Sequence, residues 1–453
     1  MIFLCLHNQT HKVMKNIKRI LLVFLLILIA LVIYNYPKLN IIAGYSAKST
    51  ASSIFLANRT LKFTDKTDTN FSPINLADDK VDTDQKFANA GVFGLLTRKA
   101  FFREGLGSVL ALEGEDLNKK YLVPKRALAN NIIPFPYGNA AQKDTIFSNV
   151  DYLKLNETLD VLFDSVNQTR ASVVVYKNQI IAERYAGKFN QNSKLLGWSM
   201  TKSILSTLFG ILEYQKKMDL FEKALFDKWK KDERKDISIH NLLQMNSGLE
   251  WDEDYNTISD VSKMLFLERD MTKIQVDKPL VGKPNETWNY SSGTTNLLSG
   301  ILREQFKTHQ EYLDFWYASL IDKIGMNSMI VETDLAGNYV GSSYAWATAR
   351  DWSKLGLLYL HKGTWNGEEL FNEKWLEYAT KATPTSNGWY GAQIWLNAGK
   401  RYPNAPQDMY FFSGYQGQNV YILPQQDLVV VRMGLTKNAD IDALLSGIVK
   451  SIK

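Results

Sequence analysis

The stretch GWSMTKSILSTLFGILEYQKKMDL, Gly197 to Leu220, decides how the rest of the chain is read. Within it Ile204, Leu205, Leu208, Phe209, Ile211 and Leu212 recur at i, i+3, i+4 spacing, which predicts a buried, central helix with a broad apolar stripe. Lys216 and Lys217 fall in its last turn, where the dipole favours cations. Ser199 falls in its first turn, where a serine commonly caps the helix. Lys202 follows three residues on, on the same face, with Cβ atoms about 5–6 Å apart. At the mouth of a buried helix a lysine is desolvated and faces the positive dipole end. Both effects lower its pKa toward a value at which the amine accepts a proton. The same dipole, with the N–H of Ser199, stabilises an oxyanion formed at that serine. One helical turn can thus supply a nucleophile, its base and half an oxyanion hole.

Two further stretches favour the nucleophile over the cap. WNYSSGTTNLLSGILRE (Trp288 to Glu304) places Tyr290 ahead of another amphipathic helix. A phenol near a lysine cation is eased toward phenolate and can relay a proton from the serine to a leaving group. The bland alternative is an aromatic wedge before a helix. FFSGYQGQNVYILPQQDLVVV (Phe411 to Val431) has Gly414 and Gly417 inside a strand-like run, marking a bulge or the close approach of a ligand or another backbone.

Other chemistries find little support. Of five histidines, His7 and His11 precede an apolar run, His309 and His361 sit in ordinary helical context, and His240 reads as a capping residue at a helix start. Gly197-Trp-Ser-Met-Thr201 lacks the final glycine of a nucleophile elbow. There is no HExxH, no Gly-rich phosphate loop, and a single cysteine, Cys5, so neither a metal site, a cofactor nor an intramolecular disulfide is expected. The net charge of +6 is spread over 453 residues with no basic block interleaved with aromatics, so nucleic acid is not an expected partner. Twenty-two Tyr and eleven Trp suit a groove for a small-molecule or short peptide-like substrate.

ILLVFLLILIALVIY (Ile20 to Tyr34) carries no charge, with KNIKR (Lys15 to Arg19) before it and Tyr36 after it. Basic residues ahead of an apolar run predict a cytoplasmic N-terminus and a domain outside the cytoplasm. Fifteen helical residues reach about 23 Å, short of a roughly 30 Å hydrocarbon layer. A signal-peptide core has this length too, but YNYPKLN offers no small-x-small cleavage site, so a membrane anchor through residues 20–34 is preferred to a secreted, cleaved form. Residues 1–36 are read as cytoplasmic tip and anchor or signal, 37–149 as linker and N-terminal extension, and 150–453 as the main domain. Residues 37 to about 90 look like a solvated linker, RKAFFREGLGSVLAL (Arg98 to Leu112) like strand, and NVDYLKLNETLDVLFDSVNQ like a helix with Leu155, Leu159, Leu162 and Val166 on one face. ASVVVYKNQIIAERYAG reads as a hairpin turning at YKNQ. The last seventy residues return to strands, so the fold expected is α+β: an antiparallel sheet closed by early and late segments, flanked by helices, with a helical subdomain.

Ser-x-x-Lys, then Tyr290-Ser-Ser292, then a late strand with Gly near Gly417-Gln418 resembles the penicillin-recognising serine hydrolases. It most resembles their class C β-lactamase-like branch, which includes esterases and 6-aminohexanoate-dimer hydrolase. SIHNLLQMNSGLEWDE (Ser238 to Glu253) and YAWATARDWSKLGLLYLHKGTWNGEEL (Tyr344 to Leu370) are similar to segments of that branch. The resemblance covers about residues 150–453. It implies a β-lactamase/transpeptidase-like fold and an acyl-enzyme mechanism, with Ser199 as nucleophile, Lys202 as its activator and Tyr290 as proton shuttle. Ser292 stands where such lactamases have Asn, and Tyr415-Gln-Gly417 where they have Lys-Thr-Gly. Both departures remove groups that hold a β-lactam and its carboxylate, and favour the esterase and amidase relatives. Gln418 is the expected second oxyanion N–H, and Tyr255 a second substrate-binding tyrosine. The alternatives are a D-Ala-D-Ala carboxypeptidase or β-lactamase-like enzyme, and a non-catalytic membrane-anchored binding domain.

Overall fold

One helix, α1 (Ile2–Phe55), carries the apolar run without a break into the domain beyond it. The computed structural model describes residues 2–116, 119–128 and 132–453, with side chains of α1 described from Met14 onward; Cys5, His7 and His11 lie outside the described side chains. Residues from Ile20 to Ile33 are exposed, whereas Ile42, Ala43, Tyr45, Ala47 and Ala51 are buried. The helical segment Met14–Phe55 is long and apolar enough to cross a membrane.

The solvated linker expected from 37 to about 90 is not what forms. After α2 (Leu61–Lys66) comes a four-stranded antiparallel meander, β1 (Ala77–Asp82), β2 (Phe87–Val92), β3 (Leu96–Arg103) and β4 (Gly107–Leu110). Ala43, Ala47 and Ala51 of α1 share one core with Ala88, Ala90, Val92, Ala100 and Leu110 of the sheet. Small residues let a helix lie close on a sheet while adding little hydrophobic signal to the sequence, so polar neighbours dominated the reading. Asp68, inside the polar DKTDTN run, pairs with both Arg59 and Arg170. A buried ion pair, Lys48 Nζ to Glu332 Oε2 at 2.6 Å, joins α1 to the main domain. Glu332 also accepts from Ser52 Oγ, the Ser108 N–H and Trp346 Nε1.

The main domain opens with α3 (Tyr152–Leu162), capped by Asp151 and burying Leu155, Leu159 and Leu162. Val166, expected on that stripe, lies past the helix end and is exposed. β5 (Thr169–Tyr176) and β6 (Gln179–Tyr185) form the predicted hairpin, its two turn residues Lys177 and Asn178 both at positive φ, as a two-residue turn requires. β7 (Leu195–Leu196) leads to α4 (Thr201–Tyr214), whose residues Thr201 to Leu212 are all buried. α4 ends at Tyr214, so Lys216 and Lys217 follow the helix rather than occupying its last turn. α5 (Ile239–Leu243), α6 (Asp260–Leu267), α7 (Ser292–Arg303) and α8 (His309–Trp316) make up the helical part. Ser238, not His240, caps α5; the imidazole instead meets the Tyr378 hydroxyl at 3.0 Å.

β8 (Ile330–Val331) and β9 (Ala345–Ala347) join β7 in a small sheet, followed by α9 (Ala349–Leu360), the hairpin β10 (Thr364–Trp365) and β11 (Glu368–Glu369), and α10 (Glu373–Thr380). β12 (Trp395–Leu396), β13 (Tyr410–Gly414), β14 (Gln418–Leu423) and β15 (Leu428–Gly434) then pair with β5, giving an antiparallel sheet ordered β12-β13-β14-β15-β5-β6. This is the closure of early on late segments that the strand pattern predicts. Strand alternation divides the core. Val174, Tyr421, Leu423 and Val430 meet Leu155 and Leu159 of α3 and Leu444, Leu445 and Ile448 of α11 (Ile441–Lys450), while Val173, Val420 and Val431 face the side of α4 and α9.

Candidate active site

Ser199 sits in a single 3₁₀ turn, Trp198–Met200, between β7 and α4. Met200 precedes α4 and makes no side-chain cap, so Ser199 is not the helix cap that a serine at this position suggests. Two features shape the turn. A Cβ on Gly197 would lie 2.2 Å from the Trp352 ring, so only glycine fits there. Trp198 adopts φ +48°, a left-handed conformation costing a bulky residue roughly 1–3 kcal/mol. Aromatic packing on Tyr45, Tyr255, Tyr344 and Tyr415 holds it.

Lys202 projects from the first turn of α4 and is 1% exposed. Its Nζ lies 3.1 Å from Ser199 Oγ, 2.9 Å from Ser292 Oγ and 3.0 Å from the Ser342 carbonyl. Burial pulls its pKa down to about 8, with Glu253 acting in the opposite direction. The Tyr290 hydroxyl reaches Ser199, and its ring centroid is 4.9 Å from Lys202 Nζ. Burial raises the Tyr290 pKa, Glu253 adds to this, and the bond to Ser199 only partly opposes it. The easing toward phenolate expected from a neighbouring cation is therefore outweighed by desolvation. Tyr290 is a neutral phenol here, suited to donate a proton.

Ser292 is the first residue of α7, beside the N-cap Ser291. Its hydroxyl accepts from Lys202 and donates to Glu253 Oε1 at 2.5 Å. Glu253 Oε2 accepts from the Ser292 N–H at 2.8 Å and from the Trp251 indole. A chain of bonds thus runs Ser199–Lys202–Ser292–Glu253. Glu253 was missed in the sequence because it lies in WDEDYN, whose acidic density reads as a solvated loop. Tyr255 stacks on Tyr415 at 5.0 Å and 17°, and its buried hydroxyl, close to Ser292, makes no hydrogen bond of normal geometry.

Opposite Ser199, β13 and β14 are joined by Tyr415–Gly417, with Gly414 paired to Gln418. A Cβ on Gly414 would lie 2.1 Å from the Gly197 carbonyl, so glycine allows β13 to lie directly against the Ser199 turn. Arg432 fixes the 415–417 turn by donating to the Gln416 and Gly417 carbonyls. Gln418, expected to offer a second oxyanion N–H, is the first residue of β14. Its buried side chain is tied to the Gly434 backbone through both amide atoms, and it does not line the cleft. A cleft of roughly 330 Å³ opens over Ser199, walled by Glu253, Tyr255, Tyr290, Tyr415 and Gly417, with the cations Arg401 and Lys437 also lining it. Those two cations come from loops that no sequence pattern tied to the site. Among the described residues no group of three His, Cys, Asp or Glu side chains converges as a metal site.

The profile of the Beta-lactamase family matches residues 168–439. A search of curated proteins found no match. Among solved structures, a putative 6-aminohexanoate-dimer hydrolase from Bacillus anthracis is 20% identical, with a TM-score of 0.57 over 73% of this chain and 90% of that one. A putative beta-lactamase from Bacteroides dorei is 13% identical, with a TM-score of 0.53 over 67% and 99% of the two chains. A family VIII carboxylesterase is 12% identical, with a TM-score of 0.53 over 66% and 97%. At these identities the structural likeness is one of fold. The family match spans more than half of the sequence and contains Ser199, Lys202 and Tyr290, and the chain belongs to the beta-lactamase family, a family of serine hydrolases.

Proposed function

We propose that the protein hydrolyses an ester or amide through an acyl-enzyme on Ser199. The observation that carries this reading is a buried lysine amine, pKa about 8, placed 3.1 Å from a serine hydroxyl that opens on a cleft. Ser199 Oγ attacks the carbonyl carbon as its proton passes to the neutral amine of Lys202. The N–H of Ser199, with the turn residue Tyr415 that follows β13 beside it, receives the oxyanion. Tyr290 donates its proton to the departing oxygen or nitrogen and is reprotonated from Lys202. Water then attacks the acyl-serine, the acid leaves, and the proton returns to Ser199. Ser292 and Glu253 hold Lys202 in place.

Tyr415 lies flat against Tyr255 and Ser292 bonds to Glu253, so neither offers the cation or amide that would hold a β-lactam carboxylate. An esterase or amidase fits better than a β-lactamase or D-Ala-D-Ala carboxypeptidase. We further propose that α1 anchors the domain outside the cytoplasm, with Lys15, Lys18 and Arg19 on the cytoplasmic side.

The test is fluorophosphonate labelling and ester turnover by the full chain and by Ser199→Ala. Both signals should vanish in the variant. Because Ser199 is no cap, its melting should stay closer to wild type than the 0.5–2 kcal/mol loss of a capping serine. Full turnover in Ser199→Ala would end the catalytic reading and leave a binding domain.

A further inference from the structure

A second chamber of roughly 420 Å³ lies beside the cleft, within the size range of ligand pockets. Leu39, Ile42, Phe71, Ile74, Ile258 and Phe266 give it apolar walls. It shares Tyr255 and Tyr415 with the catalytic cleft, so the two cavities adjoin at this stacked pair.

One wall is a stripe of α1, Asn35, Lys38, Leu39, Ile42 and Tyr45, at i, i+3, i+4, i+7 and i+10, with Ile41 at its edge. The stripe starts where the apolar run Ile20–Tyr34 ends. It finishes at Tyr45, which stacks at 6.1 Å on Trp198, the residue before Ser199. Ten helical residues span about 15 Å. The chamber therefore extends from the level at which α1 would leave a bilayer to the neighbourhood of the nucleophile.

A separate part of the chain marks the same level. The tip between β2 and β3 exposes Phe93 at 67% and Leu95 at 59%, and the Tyr36 hydroxyl lies 3.5 Å from the Leu95 carbonyl. Leu76, also exposed, lines the chamber itself. Exposed aromatic and aliphatic side chains gathered beside Tyr34 and Tyr36 suit the headgroup region of a membrane. On a surface facing only water they would form an unexplained apolar patch.

We infer that the substrate is a membrane lipid ester or amide, whose long alkyl chain lies in this chamber while its carbonyl sits at Ser199. This deepens the hydrolase reading and rests on it. A polar peptide tail would leave amides unpaired along the apolar majority of the lining, which Asn35, Lys38, Ser72, Asn256, Thr257 and Ser262 interrupt. An alkyl chain has no such groups, and Asn35 of the lining directly follows the apolar run of α1. The acyl group moves from the lipid's alcohol or amine to Ser199 Oγ, the leaving atom takes the proton, and water releases the fatty acid.

The experiment uses the full chain in phosphatidylcholine vesicles with 4-nitrophenyl butyrate and dodecanoate. Each buried methylene is worth up to about fourfold, so kcat/KM should favour dodecanoate by well over tenfold. Leu39→Trp and Ile258→Trp fill the chamber from two sides without touching the reacting groups. Each should cut that preference by about tenfold or more, with butyrate turnover within about twofold of wild type. In a second arm, vesicles carry phosphatidylcholine with a diazirine at the end of one acyl chain. Irradiation should cross-link peptides containing Phe71 to Ile74 and Asn256 to Ser262, both outside α1. Butyrate turnover and fluorophosphonate labelling without chain-length preference or cross-links would overturn the lipid inference and leave the hydrolase standing. Cross-links without any turnover or labelling would overturn both the substrate assignment and the hydrolase reading, leaving a lipid-binding site.

Discussion

Replacing Glu253 by Gln removes the one charge that raises the Lys202 pKa, so the pH profile reports directly on the bond chain through Ser292. Lys202 Nζ is 2.9 Å from Ser292 Oγ, which is 2.5 Å from Glu253 Oε1, so amine and carboxylate are no more than about 5.4 Å apart. At that distance two unit charges interact by about 3 kcal/mol at an effective dielectric of 20 and about 0.8 kcal/mol in bulk water. Glu253 is half-buried at the cleft wall, between these limits. The Lys202 pKa should thus fall from about 8 by about 0.5–2 units. In the proposed mechanism the neutral amine is the active form, so the acidic limb of kcat/KM moves to lower pH. The plateau should fall as well. Gln can accept from the Ser292 N–H and Trp251 with its oxygen, which turns its amide nitrogen toward Ser292 Oγ. Ser292 must then donate to Lys202, occupying the lone pair that Ser199 needs. The assay is kcat/KM for an activated short ester from about pH 6 to 10. An unmoved limb, or one moved upward, would refute the electrostatic link between Glu253 and Lys202.

Two further outcomes follow from the same geometry. Tyr290→Phe removes the proposed proton donor at Ser199, so amide turnover should fall by about 10²–10⁴, while an activated ester with a good leaving group loses far less; a ratio unchanged between the two substrates would remove Tyr290 from the reaction. Glu332→Ala leaves Lys48 buried without its partner and strands the Ser108 N–H and Trp346 Nε1, so chemical denaturation should show a loss of about 3–5 kcal/mol.

The sequence made the main domain legible because its signals are local. A helix with six apolar residues at fixed spacing, a serine and lysine one turn apart, and β-branched strands all announce themselves over a dozen residues. The site's outer parts depend on contacts distant in sequence. Glu253 reaches Ser292 across 39 residues, and what makes it a site residue is the burial of Ser292, which no acidic run displays. The place of the Gln418 side chain was hidden for a related reason: only the register of Gly414 on Gln418, with Gly434 beside it, shows that its side-chain amide bonds within the sheet. The N-terminal sheet stayed hidden because its core is built of alanines. These contribute close packing rather than hydrophobicity, and Asp79 of the acidic run turns inward to accept from Ser46 and Thr50 of α1, which the sequence does not display.

Lys202 also makes a stability argument that does not depend on any substrate. Its pKa is about 8 in the fold because burial disfavours the ammonium, against 10.5 for the exposed side chain. Between these values the unfolded chain binds more protons than the folded one, so stability rises with pH across the window from about 8 to 10.5. Below about pH 8 both states hold the proton and the fold carries the full penalty, about 3 kcal/mol for a shift of this size. Comparing wild type with Lys202→Met isolates this contribution, since the other titrating groups cancel in the difference. Wild-type stability relative to the variant should climb by about 1.4 kcal/mol per pH unit through the window and be level below it. A difference that stays flat from pH 7 to 10 would mean that the amine keeps a solvent-like pKa. Ser199 would then face a permanent ammonium at neutral pH, and its general base would have to be sought elsewhere.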